Sequence, residues 1–344
     1  MKAVFIEKHG DLENIKIGEI TKPNLNPNEV LVQTKFAALN HIDLFIVKGF
    51  PGLDLKMPHI LGSDASGVIK EIGSEVTTLQ IGDNVTINPG VSCGKCKLCL
   101  SGKQNYCEEF SILGENQWGT FAEFVKIPEI NALKVPEGFP LNKAAVPLTY
   151  LTAWRMLVSR AKIKHNETVF IHGAGGGVAT AAILIAKFFN CKVITSTSSQ
   201  EKLEKAKKLG ADYVINYKEN PDYEKFVYKE LTNRKGIDIV IDSVGQKTFL
   251  KSIRLLKKGG RLITCGATTG PKSDIDIRYI FWKQLKIKGS TMSNQKEFRD
   301  VMRVIFNGQI SPAIEKIYNI DDIIEAERYM EKGEQFGKIL LKIS

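Results

Sequence analysis

Four cysteines, Cys93, Cys96, Cys99 and Cys107, lie within 15 residues of the chain. Two residues separate Cys93 from Cys96 and Cys96 from Cys99, and seven separate Cys99 from Cys107. Thiolates at this spacing let one loop wrap a single zinc ion, and four protein ligands close the tetrahedron to water. The cluster predicts a structural zinc, not one that activates a substrate. Lys95, Lys97 and Lys103 offset part of the negative charge of such a site. Cys191 and Cys265 sit in apolar, strand-like stretches and read as inert core residues.

A second group of residues suits a different ligand. Gly173, Gly175, Gly176 and Gly177 stand between the apolar run 168–172 and the helical stretch 178–189. Strand, glycine loop and helix in that order make a diphosphate cradle. The glycines allow a tight turn and close backbone approach, and the helix N-terminus faces the anion. Ala179 holds the place where a third glycine often stands. An NAD-selective site carries Asp or Glu about 20 residues beyond the glycines, on the ribose 2′-hydroxyl. Here that place holds the hydroxyls of 195–199, Ser198 among them, then Lys202, with no acid before Glu201. Hydroxyls and an ammonium suit a 2′-phosphate, so NADP(H) is expected, with NAD(H) as the alternative.

These groups need elements to hold them. The first 130 residues carry short strand signals at 29–38, 66–72 and 84–88, punctuated by Pro23, Pro27, Gly73 and Gly82, as in an irregular β domain. From Glu167 onward strands alternate with helices. Strands are predicted at 168–172, 191–196, 213–216, 237–241 and 261–265, and helices at 178–189, 200–209 and near 247–257. This alternation is that of a doubly wound parallel sheet. Helices near 296–306 and 321–331 and a strand at 338–343 close the chain.

At 344 residues the chain calls for two domains. No apolar run approaches the roughly 18 residues that span a bilayer. The N-terminal Met1-Lys2-Ala3-Val4-Phe5-Ile6 reads as a strand and not a signal peptide, so a soluble, cytoplasmic protein with no membrane partner is expected. The net charge is +10, but the lysines are spread along solvated helical faces such as 201–208, so no specific nucleic-acid partner is expected.

The order of parts resembles the medium-chain dehydrogenase/reductase superfamily over essentially the whole chain. It runs from Gly62-Ser63-Asp64-Ala65-Ser66-Gly67 and 76–83 through the cysteine lobe to Pro147-Leu148-Thr149-Tyr150-Leu151-Thr152-Ala153-Trp154. The glycine loop, Lys208-Leu209-Gly210-Ala211-Asp212 and Asp242-Ser243-Val244-Gly245 follow. The resemblance implies an α/β fold, with a β-rich GroES-like catalytic domain (1–130 and 285–344) and a doubly wound Rossmann coenzyme domain (131–284). It implies an active site in the cleft between them, and homodimers or homotetramers formed through the coenzyme domains. Among cofactor residues it implies Thr152, Tyr217 near the adenosine, Lys338 near the diphosphate, and Val244, Gly266, Ala267 and Ser293 near the nicotinamide.

The chain departs from the zinc alcohol dehydrogenases it resembles. They place a cysteine where Asn40 stands, a histidine where Ser63 stands and a third ligand near Leu148; only the acid persists, as Asp64. The relay hydroxyl is replaced by Ile42. A Lewis-acid zinc needs about three protein ligands, so the usual catalytic zinc is expected to be absent. Hydride transfer to a conjugated carbonyl, as in quinone and enoyl reductases, is then the easier reaction. The tyrosine those relatives use is Phe45 here, which leaves His41 as the candidate proton donor; contact with the cofactor diphosphate is its competing role. A metal site of His41, His59 and Asp64 has competent ligands but no spacing argument. Phe50, Leu53 and Trp118 are expected along the substrate cleft. The expected function is an NADP(H)-dependent oxidoreductase acting on a small carbonyl, quinone or enone substrate. An alcohol dehydrogenase with a remodelled metal site is one alternative. A non-catalytic NADPH-binding or RNA-associated protein is another.

Overall fold

Strand periodicity and turn chemistry produce two compact units, here described over residues 1–344 from a computed structural model. One unit comprises Met1–Leu148 with Met292–Ser344, and the other Thr149–Thr291. Both boundaries fall later than 130 and 285. Residues 131–148 stay with the first unit because the Ser66 and Thr86 hydroxyls donate to the carbonyls of Leu141 and Ala144 at 2.7 and 2.6 Å. Residues 286–289 stay with the second because they form its last strand.

The first unit is built on a seven-stranded sheet whose centre is the strand Glu29–Ala38. That strand pairs antiparallel with Asp64–Ile72, bringing Ala38 opposite Asp64, and with Lys338–Lys342, bringing Ala38 opposite Leu340. Its inward faces carry Val30, Val32, Ile69, Val85, Ile87 and Leu341, all buried. A three-stranded sheet joins Lys2–Ile6 to Ile15–Glu19 and His59–Ile60. The short helix His41–Lys48 follows the central strand directly. The sequence signals did not announce it.

The second unit is a six-stranded, wholly parallel sheet. Its order is Tyr213–Asn216, Lys192–Thr197, Thr168–Ile171, Ile237–Asp242, Leu256–Thr264 and Lys286–Gly289. The three central strands, Lys192–Thr197, Thr168–Ile171 and Ile237–Asp242, are almost wholly buried, as a sheet covered on both faces requires, whereas the edge strands Tyr213–Asn216 and Lys286–Gly289 are mostly not. The strand order reverses direction beside Thr168–Ile171, and ligands of such sheets bind outside the carboxyl ends at that switch point. No helix is long and apolar enough to cross a membrane.

Candidate functional site

The glycine loop leaves the strand Thr168–Ile171 at the switch point and enters the helix Gly177–Phe188. Gly173 adopts φ +69°, a left-handed conformation that a side chain would strain. Gly176 is the helix N-cap, and the Ala174 N–H donates to the Ser196 carbonyl at 2.9 Å. Ala179 is buried, in keeping with close helix–sheet packing.

Loops from neighbouring strands surround this turn. A cavity of about 350 Å³ is lined by Gly173, Tyr217 and Val244 among the predicted residues, and by His172, Ser196, Tyr223 and Thr248 among those the sequence reading missed. Val244 Cγ2 lies 3.8 Å from the place of a Cβ on Gly173. The loop holding Gly266 and Ala267 packs on the Val244 turn: a Cβ on Gly266 would lie 3.0 Å from the Ser243 carbonyl, and one on Gly245 would lie 2.7 Å from Ala267 Cα. Tyr217 pairs its N–H with the Thr197 carbonyl at 3.0 Å, beside the loop of Ser198. The Ser199 hydroxyl caps the helix Gln200–Lys208 by accepting from the Lys202 N–H. Thr152 is buried in the helix Pro147–Trp154. Ser293 is buried in the first unit, its hydroxyl donating to the Asn294 carbonyl.

Lys338 corrects the sequence reading. Its ammonium is 2% exposed and donates to the Leu39 carbonyl and Asn40 Oδ1 at 2.6 Å each and to Asp64 Oδ2 at 3.0 Å. Three donors meet three oxygens, which leaves none for a diphosphate. The sheet register explains the outcome, since pairing Leu340 with Ala38 carries residue 338 to the level of residue 40.

The Lys338 ammonium thus binds Asn40 and Asp64, two of the residues compared above with the ligands of a catalytic zinc. Asp64 also accepts from Asn40 Nδ2 at 3.0 Å and from the Leu148 N–H at 2.6 Å. Ser63 is fully buried, its hydroxyl without a partner. Asp43 Oδ2 accepts from the Asn40 N–H at 2.7 Å, fixing the start of the helix that carries His41. His41 is exposed by surface area, although the protein atoms packed around its ring partly withdraw it from water. Desolvation of its ring, then the Lys338 ammonium, lower its pKa from the ordinary imidazole range. His59 is turned away, with Nε2 3.0 Å from the Gly114 carbonyl. His41, His59 and Asp64 therefore do not form a metal site. Trp118 donates from Nε1 to the Pro58 carbonyl and is 37% exposed.

The cysteines do converge. The sulfurs of Cys93, Cys96, Cys99 and Cys107 all lie within 4.8 Å of one another, and three of the separations are 3.9, 3.9 and 3.5 Å. Four sulfurs about 2.3 Å from a central zinc would be separated by about 3.8 Å. The cluster fits a structural zinc. The N–H groups of Cys96 and Cys99 point at the sulfurs of Cys93 and Cys96, as thiolates favour.

The overall excess of positive charge is segregated by unit. Residues 149–291 hold 26 Lys and Arg against 12 Asp and Glu, whereas the rest of the chain holds 22 against 26.

Residues 26–137 match the family described as alcohol dehydrogenase GroES-like domain, and residues 177–307 the family described as zinc-binding dehydrogenase. The chain is 32% identical to a zinc-type alcohol dehydrogenase-like protein of Schizosaccharomyces pombe, over all of this chain and 99% of that one. It is also 32% identical to an acryloyl-coenzyme A reductase of Sulfurisphaera tokodaii, over 99% of this chain and all of that one. A solved structure of an NAD-dependent alcohol dehydrogenase superposes with a TM-score of 0.96 at 38% identity, covering both chains fully. The parallel sheet with its glycine turn, the four-cysteine lobe and these full-length similarities agree: the chain belongs to the medium-chain dehydrogenase/reductase superfamily and is an NAD(P)-dependent oxidoreductase.

Proposed function

We propose that the protein is an NADP(H)-dependent reductase that saturates a conjugated carbonyl compound, with an α,β-unsaturated acyl thioester as the substrate class. One observation carries this reading. Asn40, Asp64, Leu148 and Lys338 are bonded to one another where a catalytic zinc would need open ligands. An amide, a hydroxyl and an aliphatic side chain at residues 40, 63 and 148 do not fit a Lewis-acid zinc, and no step is derived through one. The similarity to an acryloyl-coenzyme A reductase supports the thioester.

Bound NADPH supplies the hydride. In the chain itself, the Gly173 turn and the N-terminus of helix Gly177–Phe188 hold the diphosphate. The cavity beside Tyr217 takes the adenosine, Ser198 and Lys202 take the 2′-phosphate, and Val244, Gly266 and Ala267 line the nicotinamide side, with Thr152 and Ser293 as further cofactor residues. Exposed Phe45 and Phe50 offer apolar contact to the acyl part. His41 gives a ring proton to the α-carbon as the enolate collapses, and is reprotonated by water. Its lowered pKa makes the protonated ring a stronger acid. Turnover limited by this proton falls as pH rises through that pKa, below the ordinary imidazole value.

The test follows NADPH oxidation with acryloyl- or crotonyl-coenzyme A, a benzoquinone, and an aldehyde, on protein of measured metal content. The expected outcome is fastest turnover of the thioester with one zinc per chain. His41→Gln should lower kcat by about 100-fold and flatten the pH profile. Two zincs per chain with aldehyde as the preferred substrate would overturn the reading in favour of an alcohol dehydrogenase. Tight NADPH binding without turnover on any of the three would favour a non-catalytic binding protein. The partner we propose is a second copy, meeting along the edge strand Lys286–Gly289 beside exposed Phe281 and Trp282; a monomeric mass by light scattering would refute it.

A further inference from the structure

Behind the cavity in the coenzyme unit runs a line of four buried side chains whose hydrogen bonds point in one direction; His172 and Tyr223 line the cavity itself, and Ser252 and Asp242 lie beyond them. Asp242 ends the strand Ile237–Asp242 and is fully buried. Its Oδ1 accepts the N–H groups of Val244 and Gly245 at 2.9 and 3.0 Å and the Thr248 hydroxyl at 2.9 Å. Its Oδ2 accepts the Ser252 hydroxyl at 2.7 Å. With that proton committed, Ser252 Oγ accepts from Nε2 of His172 at 2.8 Å. Nδ1 is then the ring's lone-pair nitrogen, and it accepts the Tyr223 hydroxyl at 3.1 Å. The Tyr223 ring stacks on Phe170 at 5.7 Å, with the Lys251 ammonium 4.6 Å from its centroid. Burying so many polar atoms is tolerable only because each has a partner. Burial holds the His172 pKa down to about 4, so the ring is neutral, and the direction of the line fixed, over the neutral pH range.

The line joins two loops that face the same cavity. His172 directly precedes Gly173, where the phosphate turn begins, and Asp242 sets the turn of Val244 and Gly245, the latter at φ +88°. Tyr223 and Ser252 come from the helices Tyr223–Phe226 and Phe249–Leu255. Shifting either loop would stretch a chain of short bonds through a buried ring.

We propose that Tyr223, His172, Ser252 and Asp242 form a positioning relay for the adenosine diphosphate half of the cofactor, fixing the spacing between the Gly173 and Val244 turns. The relay rests on the reading of this cavity as the adenosine site. His172 acts through these turns and takes no part in the chemistry.

The experiment uses full-length, zinc-loaded protein and measures Kd for NADPH and for ADP-ribose, which lacks both the nicotinamide and the 2′-phosphate. Tyr223→Phe, His172→Phe and Ser252→Ala each keep most of the shape and break the line. Each is expected to weaken both ligands by about tenfold, the loss of roughly one hydrogen bond's worth of preorganisation. The double variant His172→Phe/Ser252→Ala should be no weaker than the poorer single, because either break interrupts the same line. Variants that lower the unfolding temperature yet bind ADP-ribose as tightly as wild type would overturn the relay. So would additive losses in the double variant. If His172→Phe fails to fold, Tyr223→Phe and Ser252→Ala, alone and together, decide the question by the same criteria. A wild-type protein that binds neither ligand would instead sink the reading of the cavity itself.

Discussion

Lys338 shows how one residue can look like a ligand contact and be a structural member. Its ammonium and the Asp64 carboxylate are almost wholly buried, 3.0 Å apart. Breaking such a pair by removing one partner strands a charge and costs about 3–5 kcal/mol, whereas replacing both by apolar groups of similar volume is often nearly neutral. Lys338→Met should therefore lower unfolding free energy by about 3–5 kcal/mol, and Lys338→Met/Asp64→Leu by less. Urea denaturation checks both, and a double variant as unstable as the sum of the singles would refute the pairing. The same ammonium steadies two further buried acids. Burial raises the Asp43 pKa to about 7 and raises that of Glu327 well above the usual range, while Lys338 pulls both down. An acid with a raised native pKa keeps a proton that the unfolded chain has released. Its stabilising contribution is complete below its ordinary pKa and is lost as pH rises through about 7. Lys338→Met should therefore show a steeper fall in stability between about pH 5 and pH 8 than wild type.

The cysteine lobe is an element with almost no core of its own. Between Cys93 and Cys107 the regular structure is one turn of helix at Lys97–Leu100 and a 3₁₀ turn at Gln104–Tyr106. Leu100 and Tyr106 are 77% and 51% exposed, while Cys99 and Cys107 are buried. With so little apolar surface removed from water, the metal must supply the cohesion. Cys96→Ser, or a strong chelator, should release the zinc and make this loop the first site of limited proteolysis; Cys96→Ser protein with full zinc content would contradict that. The lobe was legible in sequence because ligand spacing is local. So were the strands Glu29–Ala38 and Tyr213–Asn216, whose limits the apolar pattern marks. The helix His41–Lys48 was not: Asn40-His41-Ile42-Asp43 drew attention as a displaced ligand motif, although Asn40 and Asp43 also carry the spacing of a helix cap. Lys338 departs from the sequence expectation because the bond that ties it to Asn40 joins residues 298 apart in sequence. His172 was hidden inside an apolar run, where a histidine looks like one more strand residue until its partners on two later helices are in place.

At the scale of the molecule, the net charge of +10 conceals a division. The coenzyme unit carries 26 basic against 12 acidic residues, and the remainder of the chain is mildly acidic. A binding surface set in a strongly positive unit raises the local concentration of polyanions and speeds their capture. Nucleic acid was one class of polyanion that a basic chain suggested, but a nicotinamide dinucleotide is the polyanion for which this unit has a built cradle. Ionic strength tests the idea, because the Debye length shrinks from about 30 Å at 0.01 M salt to about 8 Å at 0.15 M. The Kd for NADPH should rise at least about tenfold between those salt concentrations, and that for NADH less steeply, since it lacks the 2′-phosphate and its charge of roughly −1.5 to −2. Lys202→Ala should remove much of the difference between the two cofactors while leaving the shallower, common salt dependence. A Kd for NADPH that does not move with salt would show that the charge of this unit serves solubility alone. Equal affinity for both cofactors, unchanged in Lys202→Ala, would assign the protein to NAD(H) and leave the hydroxyls of 195–199 as the terminus of a strand and the cap of a helix.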